Sequence, residues 1–466
     1  MPRLLLLLFL SLLFESLAAQ NVTLQGIAKD YAGKEIRFYC YPEPISHQPK
    51  MLAESTVQPD GAFLLTFKLD QSTEIYTDLE KFRGTLVAEP GRTYSITLPP
   101  YSPRTAREAA SPYFEPELYW LDIIGLQPTD LNFRTRKFLT EYNNELARHT
   151  MDLYQKKSAD TVKSILARLD QNNPTGKDHY LKVLKTCNYG ELAYTITQPG
   201  KGEIVQKYFK TKELSLSHPA YQHLFNALFN DYLIRQSQNI KQKGFITPAL
   251  KGDFEGWVQQ LTADGFGGEQ AELLAIKSLY DGYYSGKFDK RLMLKGLNEA
   301  TATVTSEPLK QLMPGILAKI TSLREGAKAP ALLLKNKKNG SFPMQTRGKF
   351  LYLAFFKSDS KESRAELDSL VTLEKKLGTI LTILPVSLDE NSTWADKFWS
   401  TKKYPWELLE AADRSKAGAD YQVKTVPAFF LLSPDQKLLL SPALAPSHNF
   451  EALFLKIYRE SRFRKQ

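Results

Sequence analysis

Apolar residues recur along this chain with three different periods, and the changes of period divide it. Between residues 20 and 105 the runs are short and strand-like. Asn21 to Ile27 and Ile36 to Tyr41 are rich in β-formers, and in Ala62 to Leu69 the side chains of Phe63, Leu65 and Phe67 alternate with Leu64 and Thr66. Pro59-Asp60-Gly61 marks a turn before that run, and Pro90-Gly91 separates Leu86–Glu89 from Thr93–Leu98. Period-two runs punctuated by turn residues predict a small antiparallel β-sandwich, closed by Pro99-Pro100.

From 106 to 325 the period becomes helical. Val162, Ile165, Leu166 and Leu169 follow i, i+3, i+4, i+7 spacing. Ser217 before Pro219 predicts a capped helix start, with a wide apolar face behind it on Tyr221, Leu224, Phe225, Leu228, Phe229, Tyr232 and Leu233. A face of that width is far more often the core of a bundle than a ligand groove. Gly265-Phe266-Gly267-Gly268 breaks one helix from the next, and lacks the lysine of a phosphate loop.

From 326 to 466 strand and helix alternate. Ala331–Leu334 predicts a short strand and Asn339-Gly340 a hairpin turn. Phe350 to Phe356 is nearly all apolar, as expected of a central strand covered on both faces. A helix from about Ser360 to Leu377, a strand over Thr379–Leu388 and a helix holding Trp394, Phe398 and Trp399 follow. Ala428–Leu432 and Lys437–Leu440 flank the turn Ser433-Pro434-Asp435-Gln436, and Ser447 is placed to cap a closing helix with Phe450, Leu453, Phe454 and Ile457 on one face. The expected architecture is multidomain: a β-sandwich at 20–105, an all-α middle domain at 106–325 and an α/β domain at 326–466.

Composition adds an address. Met1-Pro2-Arg3, the 11-residue apolar run Leu4–Phe14 and the small residues up to Ala19 have the layout of a signal peptide over 1–19. The apolar run is too short to span a bilayer, and no cysteine follows it to carry a lipid. The mature chain is therefore expected to be exported, most simply to the periplasm, without a transmembrane span. The net charge of +10, from 61 basic and 51 acidic residues, would draw such a protein weakly to anionic envelope surfaces, although a solvated basic surface is its commoner meaning. No nucleic-acid module appears.

Four segments of the last region carry a resemblance. They are Gly326-Ala327-Lys328-Ala329-Pro330; Phe355-Phe356 with Arg364-Ala365-Glu366; Val386-Ser387-Leu388-Asp389; and Tyr421-Gln422-Val423 with Val426-Pro427. In order and spacing this set resembles the thioredoxin-fold domain of exported TlpA/ResA-type thiol–disulfide oxidoreductases. The resemblance implies a thioredoxin-like fold for 326–466, a cis-proline at Pro427 and, beside it, a ledge at Val426-Pro427 that pairs with extended polypeptide. It also places the family's Cys-x-x-Cys motif at Ser360 and Ser363. Disulfide exchange needs a thiolate that attacks sulfur and leaves again, which a serine hydroxyl cannot supply. Ser360 is instead suited to cap the first helical turn, and Ser363 with Glu366 has capping-box spacing.

Little else in the chain offers chemistry. His47, His149, His179, His218, His223 and His448 are scattered, with no metal-ligand spacing. Asp389 and Glu390 are adjacent at a strand end and read as a solvated turn. Cys40 and Cys187, the only cysteines, are two separate buried thiols or one long-range bridge. The expected function is a redox-inactive thioredoxin-like envelope protein that binds or scaffolds an exported protein or peptide, with no cofactor and no metal. The alternatives are a divergent thiol–disulfide oxidoreductase using Cys40 or Cys187, and a purely structural envelope protein.

Overall fold

The structure is a computed structural model that describes residues 20–105, 108, 114–197, 201–210, 213–239, 244–336, 340–346, 348–389, 392–423 and 425–463. The expected signal peptide, Asn339 and Glu390 lie outside these residues. The chain divides into two compact units. One runs to Pro103 and resumes from Pro116 to Ile316; the other takes in the chain from Leu317 onward together with Arg104–Glu115.

Among the described residues of the first unit nine strands form two sheets. They are β1 (Gln20–Ile27), β2 (Glu35–Cys40), β3 (Lys50–Thr56), β4 (Ala62–Leu69), β5 (Thr73–Leu79), β6 (Phe82–Ala88), β7 (Thr93–Thr97), β8 (Glu117–Trp120) and β9 (Asp122–Ile123). The sheet orders are β4-β1-β7-β9 and β3-β2-β5-β6-β8. Their inner faces share one core that includes Val22, Leu24, Ile36, Phe38, Phe63, Leu65, Ile75 and Leu86. The alternation in β4 is obeyed: Phe63, Leu65 and Phe67 are buried, while Leu64 points outward and is 59% exposed.

Two features depart from the expected antiparallel sandwich. The β1–β7 and β6–β8 pairs are parallel. Strands also continue into the region read as helical, because Glu117–Ile123 is β8 and β9. This short run joins both sheets, β8 beside β6 and β9 beside β7, with the fully buried Leu121 between them in the shared core. A segment of aromatic and branched residues suits that role, but only pairing to strands far away in sequence supplies it.

Helices follow, among them Leu131–Arg148, Ala159–Asn172, His179–Thr197, Pro219–Phe229 and Gly268–Tyr284. The first is fastened to the sheet by Asn132. Its amide accepts from Val87 N at 2.8 Å and donates to Val87 O at 2.7 Å, both buried. Val87 itself packs with Leu131, Phe138, Ile165 and Leu181 in a second core. The aromatic face from Tyr221 to Phe229 is buried core. It ends there, since Asp231 turns left-handed at φ 56° and Tyr232–Ser237 is a separate helix. The cap of Pro219–Phe229 is His218 and not Ser217. Pro219 takes the first helical position, so the residue just before it becomes the cap, and its Nδ1 accepts from Ala220 N at 3.2 Å. Ser217 accepts from Gln71 Nε2 instead.

The second unit has one seven-stranded sheet. Its strands are β10 (Leu333–Lys335), β11 (Ser341–Pro343), β12 (Phe350–Phe356), β13 (Leu381–Ser387), β14 (Leu409–Ala411), β15 (Ala428–Leu432) and β16 (Leu438–Leu440), in the order β11-β10-β14-β13-β12-β15-β16. The helices are α1 (Lys361–Leu377), α2 (Ser392–Lys402), α3 (Arg414–Asp420) and α4 (Phe450–Phe463). β12 is parallel to β13 and antiparallel to β15, which is antiparallel to β16. A parallel strand–helix–strand unit followed by a hairpin and a closing helix, with the first strand central, is a thioredoxin-like fold.

All seven residues of β12 are buried. Phe350, Tyr352, Ala354 and Phe356 face α1 and α4 through Leu367, Leu370, Phe450 and Phe454. Leu351, Leu353 and Phe355 face Leu334, Val386, Tyr421 and Phe430. The Gly326–Pro330 segment closes the β16 edge: Gly326 N donates to Leu438 O, Leu438 N to Ala327 O and Ala329 N to Gln436 O, at 2.7–2.8 Å. Tyr421 Oη donates to Pro330 O at 2.8 Å, so two of the segments that carry the family resemblance meet in space.

The Asn132 clamp predicts that Asn132→Ala, by leaving a buried N–H and a buried C=O unpaired, destabilises the first unit by about 2–4 kcal/mol. Urea unfolding of the variant beside the parent chain measures this; a change within error would show that the sheet and the helix are held by apolar packing alone.

Candidate functional site

Strand register brings three segments to one end of the second unit's sheet. β12 ends at Phe356, opposite Ser387 of the parallel β13, and antiparallel β15 begins at Ala428, opposite Phe355. The loop Lys357–Ser360, the residue Asp389 and the segment Thr425–Pro427 therefore leave the sheet at the same end. Ser360, Ser363, Val426 and Pro427, singled out in the sequence, are all carried by these segments or by the first turn of α1.

Ser360 is the N-cap of α1, with extended backbone (φ −74°, ψ 124°), and its Oγ accepts from Ser363 N at 3.1 Å. The same hydroxyl donates to Glu362 Oε2 at 3.2 Å. One of its two lone pairs and its proton are thus committed within the first turn. Ser363 is fully buried, and its Oγ accepts from Lys357 N at 3.5 Å. The capping-box reading of Ser363 with Glu366 does not hold. Ser363 lies inside the helix, three positions after the cap, and Glu366 bonds instead to the Ser447 backbone N and hydroxyl. Ser447 correspondingly does not cap α4, which begins three residues later at Phe450.

Asp389 is the residue that sequence reasoning missed. It is not in a solvated turn: it is only 6% exposed and bridges the ends of β12 and β13. Its carboxylate accepts from Ser358 N at 2.9 and 3.0 Å, from Ser358 Oγ at 3.0 Å and from Ser387 Oγ at 2.7 Å. Ser387 Oγ in turn accepts from Asp389 N at 3.0 Å. Burial pushes the Asp389 carboxyl above the usual carboxylate range, against the hydrogen bonds from Ser387 and Ser358. On the other side Arg364 Nη1 donates to Ser358 O at 2.9 Å and to Asp359 O at 3.2 Å. The loop ahead of α1 is therefore pinned from both sides. The Ser387-x-Asp389 spacing was visible in the chain, but the distant partner Ser358 was not.

Val426 and Pro427 are half-buried and joined by a cis peptide, and Thr425 beside them is exposed.

None of these hydroxyls is set up as a nucleophile. His448 Nδ1 lies 3.1 Å from Ser447 Oγ, but the serine donates its proton to Glu366. In a hydrolytic triad the carboxylate orients the histidine and the histidine takes the serine proton; here that order is lost. Thiol chemistry has no local source either. Cys40 and Cys187 are free and buried in the first unit, Cys40 within the sandwich core. Burial raises both thiols, Cys187 to about 12, the opposite of the lowering that activates a cysteine. Among the described residues no group of three or more His, Cys, Asp or Glu could hold a metal ion, and no helix is long and apolar enough to cross a membrane.

No protein-family model and no curated protein matches the chain. Solved structures of thioredoxin-like proteins do. The thioredoxin domain of a thiol-disulfide oxidoreductase from Bacteroides vulgatus is 21% identical over 28% of this chain and 96% of its own, with a TM-score of 0.27. A thiol:disulfide interchange protein from Bacteroides sp. is 20% identical over 28% and 90%, with a TM-score of 0.26. StoA from Bacillus subtilis is 16% identical over 27% and 97%, with a TM-score of 0.23. The thioredoxin-like fold of the second unit rests on its own strand order and connections.

Two outcomes are expected from this geometry. Ser360→Ala removes the cap and costs the second unit about 1 kcal/mol in thermal or urea unfolding. Asp389→Asn replaces one accepting oxygen with a donor, costing about 1–3 kcal/mol, and also flattens a pH dependence. A carboxyl raised in the folded state contributes stability below its unfolded pKa of about 4, and that contribution is lost as pH rises through the folded value. The parent chain should therefore lose stability on going up from about pH 4 by an increment that Asp389→Asn lacks. Parallel slopes for the two proteins would show that Asp389 does not titrate in this window.

Proposed function

We propose that this chain is a redox-inactive thioredoxin-like protein of the cell envelope whose C-terminal unit binds or scaffolds an extended exported polypeptide at the Val426–Pro427 ledge. One observation supports the reading. Ser360 and Ser363, which the resemblance aligns with the dithiol of the TlpA/ResA-type family, lie on the first turn of α1, where Ser360 Oγ accepts from Ser363 N at 3.1 Å. Serine at both positions keeps the cap and leaves no thiol there to exchange a disulfide. The surface proposed to meet a polypeptide lies where the pinned loop, the exposed Thr425 and the half-buried Val426 and Pro427 share one end of the sheet. An incoming extended chain would add main-chain hydrogen bonds there, with side-chain pockets setting preference.

Cell-envelope placement is part of this proposal and rests on the Leu4–Phe14 apolar run and its small-residue flank. The alternative of disulfide chemistry at Cys40 or Cys187 is disfavoured by the burial and raised pKa of both thiols.

The test is an insulin-reduction assay with the parent chain and the Ser360→Cys/Ser363→Cys double variant. The parent is expected to show no turnover, and the double variant a measurable rate, because the helix N-terminus that lowers a thiol pKa is present. Turnover by the parent that is lost in Cys187→Ser or Cys40→Ser would overturn redox inactivity. A photo-crosslinker at position 360 should trap an exported polypeptide in cells, and Val426→Arg should abolish the adduct. Trapping unchanged by that variant would remove the ledge from the proposal.

A further inference from the structure

The first unit contains a cavity that the thioredoxin-like site does not involve. It measures about 320 Å³ and opens where the β4–β5 and β6–β7 turns meet three helix starts. Gln71 and Ser72 line it from the first turn and Glu89 from the second, together with Asp178, Ser215 and Ser217 from the helix starts. Pockets at such seams between structural layers, in this size range, are the usual form of small-molecule sites.

The lining decides what fits. A cation has no free anion to meet. Glu89 already accepts from Arg92 Nη1 at 2.6 Å and from Tyr94 Oη at 3.2 Å, while Asp178 pairs with Arg134 at 3.4 Å and caps Leu181 N at 3.0 Å. An anion finds no lysine or arginine among the described lining residues. An apolar ligand would desolvate three serines, an amide and two carboxylates without replacing their hydrogen bonds. His218 is already spent, with Nδ1 accepting from Ala220 N and Nε2 bonded to Tyr180 O, both at 3.2 Å. What stays available is hydroxyl and amide chemistry, with the His179 imidazole. The 3.0 Å bond from Gln71 Nε2 to Ser217 Oγ leaves Gln71 Oε1 as an acceptor and the Ser217 hydroxyl as a donor on one wall, with Ser72 beside them.

We propose that this cavity binds a small uncharged polyhydroxylated molecule of monosaccharide size. Donors and acceptors side by side, on a wall whose two carboxylates are already paired with arginines, match vicinal hydroxyls, each of which both donates and accepts. Binding is weak, in the millimolar range, because the Tyr180 ring is buried and lies tilted against His218, with centroids 4.2 Å apart and 37° between the planes.

Saturation-transfer NMR on the whole mature chain tests this. The probes are glucose, galactose, N-acetylglucosamine and myo-inositol at millimolar concentration, with inorganic phosphate as the anionic arm followed by its phosphorus linewidth. At least one neutral probe should show transfer. Transfer should vanish in Ser217→Trp, which fills the cavity, fall at least severalfold in Gln71→Ala, and persist in Ser360→Trp, which lies in the other unit. Ser72→Val, a minimal change that removes one hydroxyl, guards against misfolding of the tryptophan variant and should weaken transfer while leaving the melting curve intact. Silence from every neutral probe overturns the proposal. So does transfer that survives both Ser217→Trp and Ser72→Val, or phosphate binding without sugar binding.

Discussion

The second unit depends on the burial of both faces of one strand. Phe350–Phe356 sends alternate residues into two separate cores, so no residue of β12 reaches solvent. Each large apolar side chain buried in this way contributes roughly 1.5–3 kcal/mol. The strand can therefore be neither shifted nor turned over without exposing a whole set. Its position sets the rest. β13 and β15 take their register from it, and the loop that leaves it at Lys357 starts from a fixed point.

That fixed point is what makes the Ser358–Asp389–Ser387 cluster sensible. A carboxylate buried to this degree is costly unless its oxygens are satisfied, and here they take two hydroxyl protons and a backbone N–H. The cluster ties the exit of β12 to the exit of β13, and Arg364 ties the same loop to α1. The first turn of α1 is thereby presented in a defined geometry, even though the residues on it, Ser360 and Ser363, cannot exchange disulfides.

The first unit solves a different problem, that of joining a sandwich to helices. Leu121 sits between β8 and β9 and lets seven residues bind both sheets. Asn132 then imitates a strand neighbour, satisfying both backbone groups of Val87 from a helix. Gln222 adds a further tie, from the helix face to Tyr41 O at 2.9 Å. The polar cavity lies at this same seam, where turns and helix starts converge and apolar filling gives way to serines and amides.

Local patterns were enough for much of this. The alternation in Ala62–Leu69, the continuous apolar run Phe350–Phe356 and the helical spacing of Val162–Leu169 each name their element, because burial on one face or two leaves a period in the chain itself. Ser360 as a cap was legible for the same reason, since its partner is three residues away. Tertiary structure alone decided what depends on distant partners. It made Glu117–Ile123 strand, moved the cap from Ser217 to His218, took Glu366 and Ser447 out of capping and paired them, and buried Asp389 under Ser358. Hydrogen bonds across 31 or 81 residues leave no period to read, and their donors and acceptors look like ordinary surface polar residues until the fold brings them together.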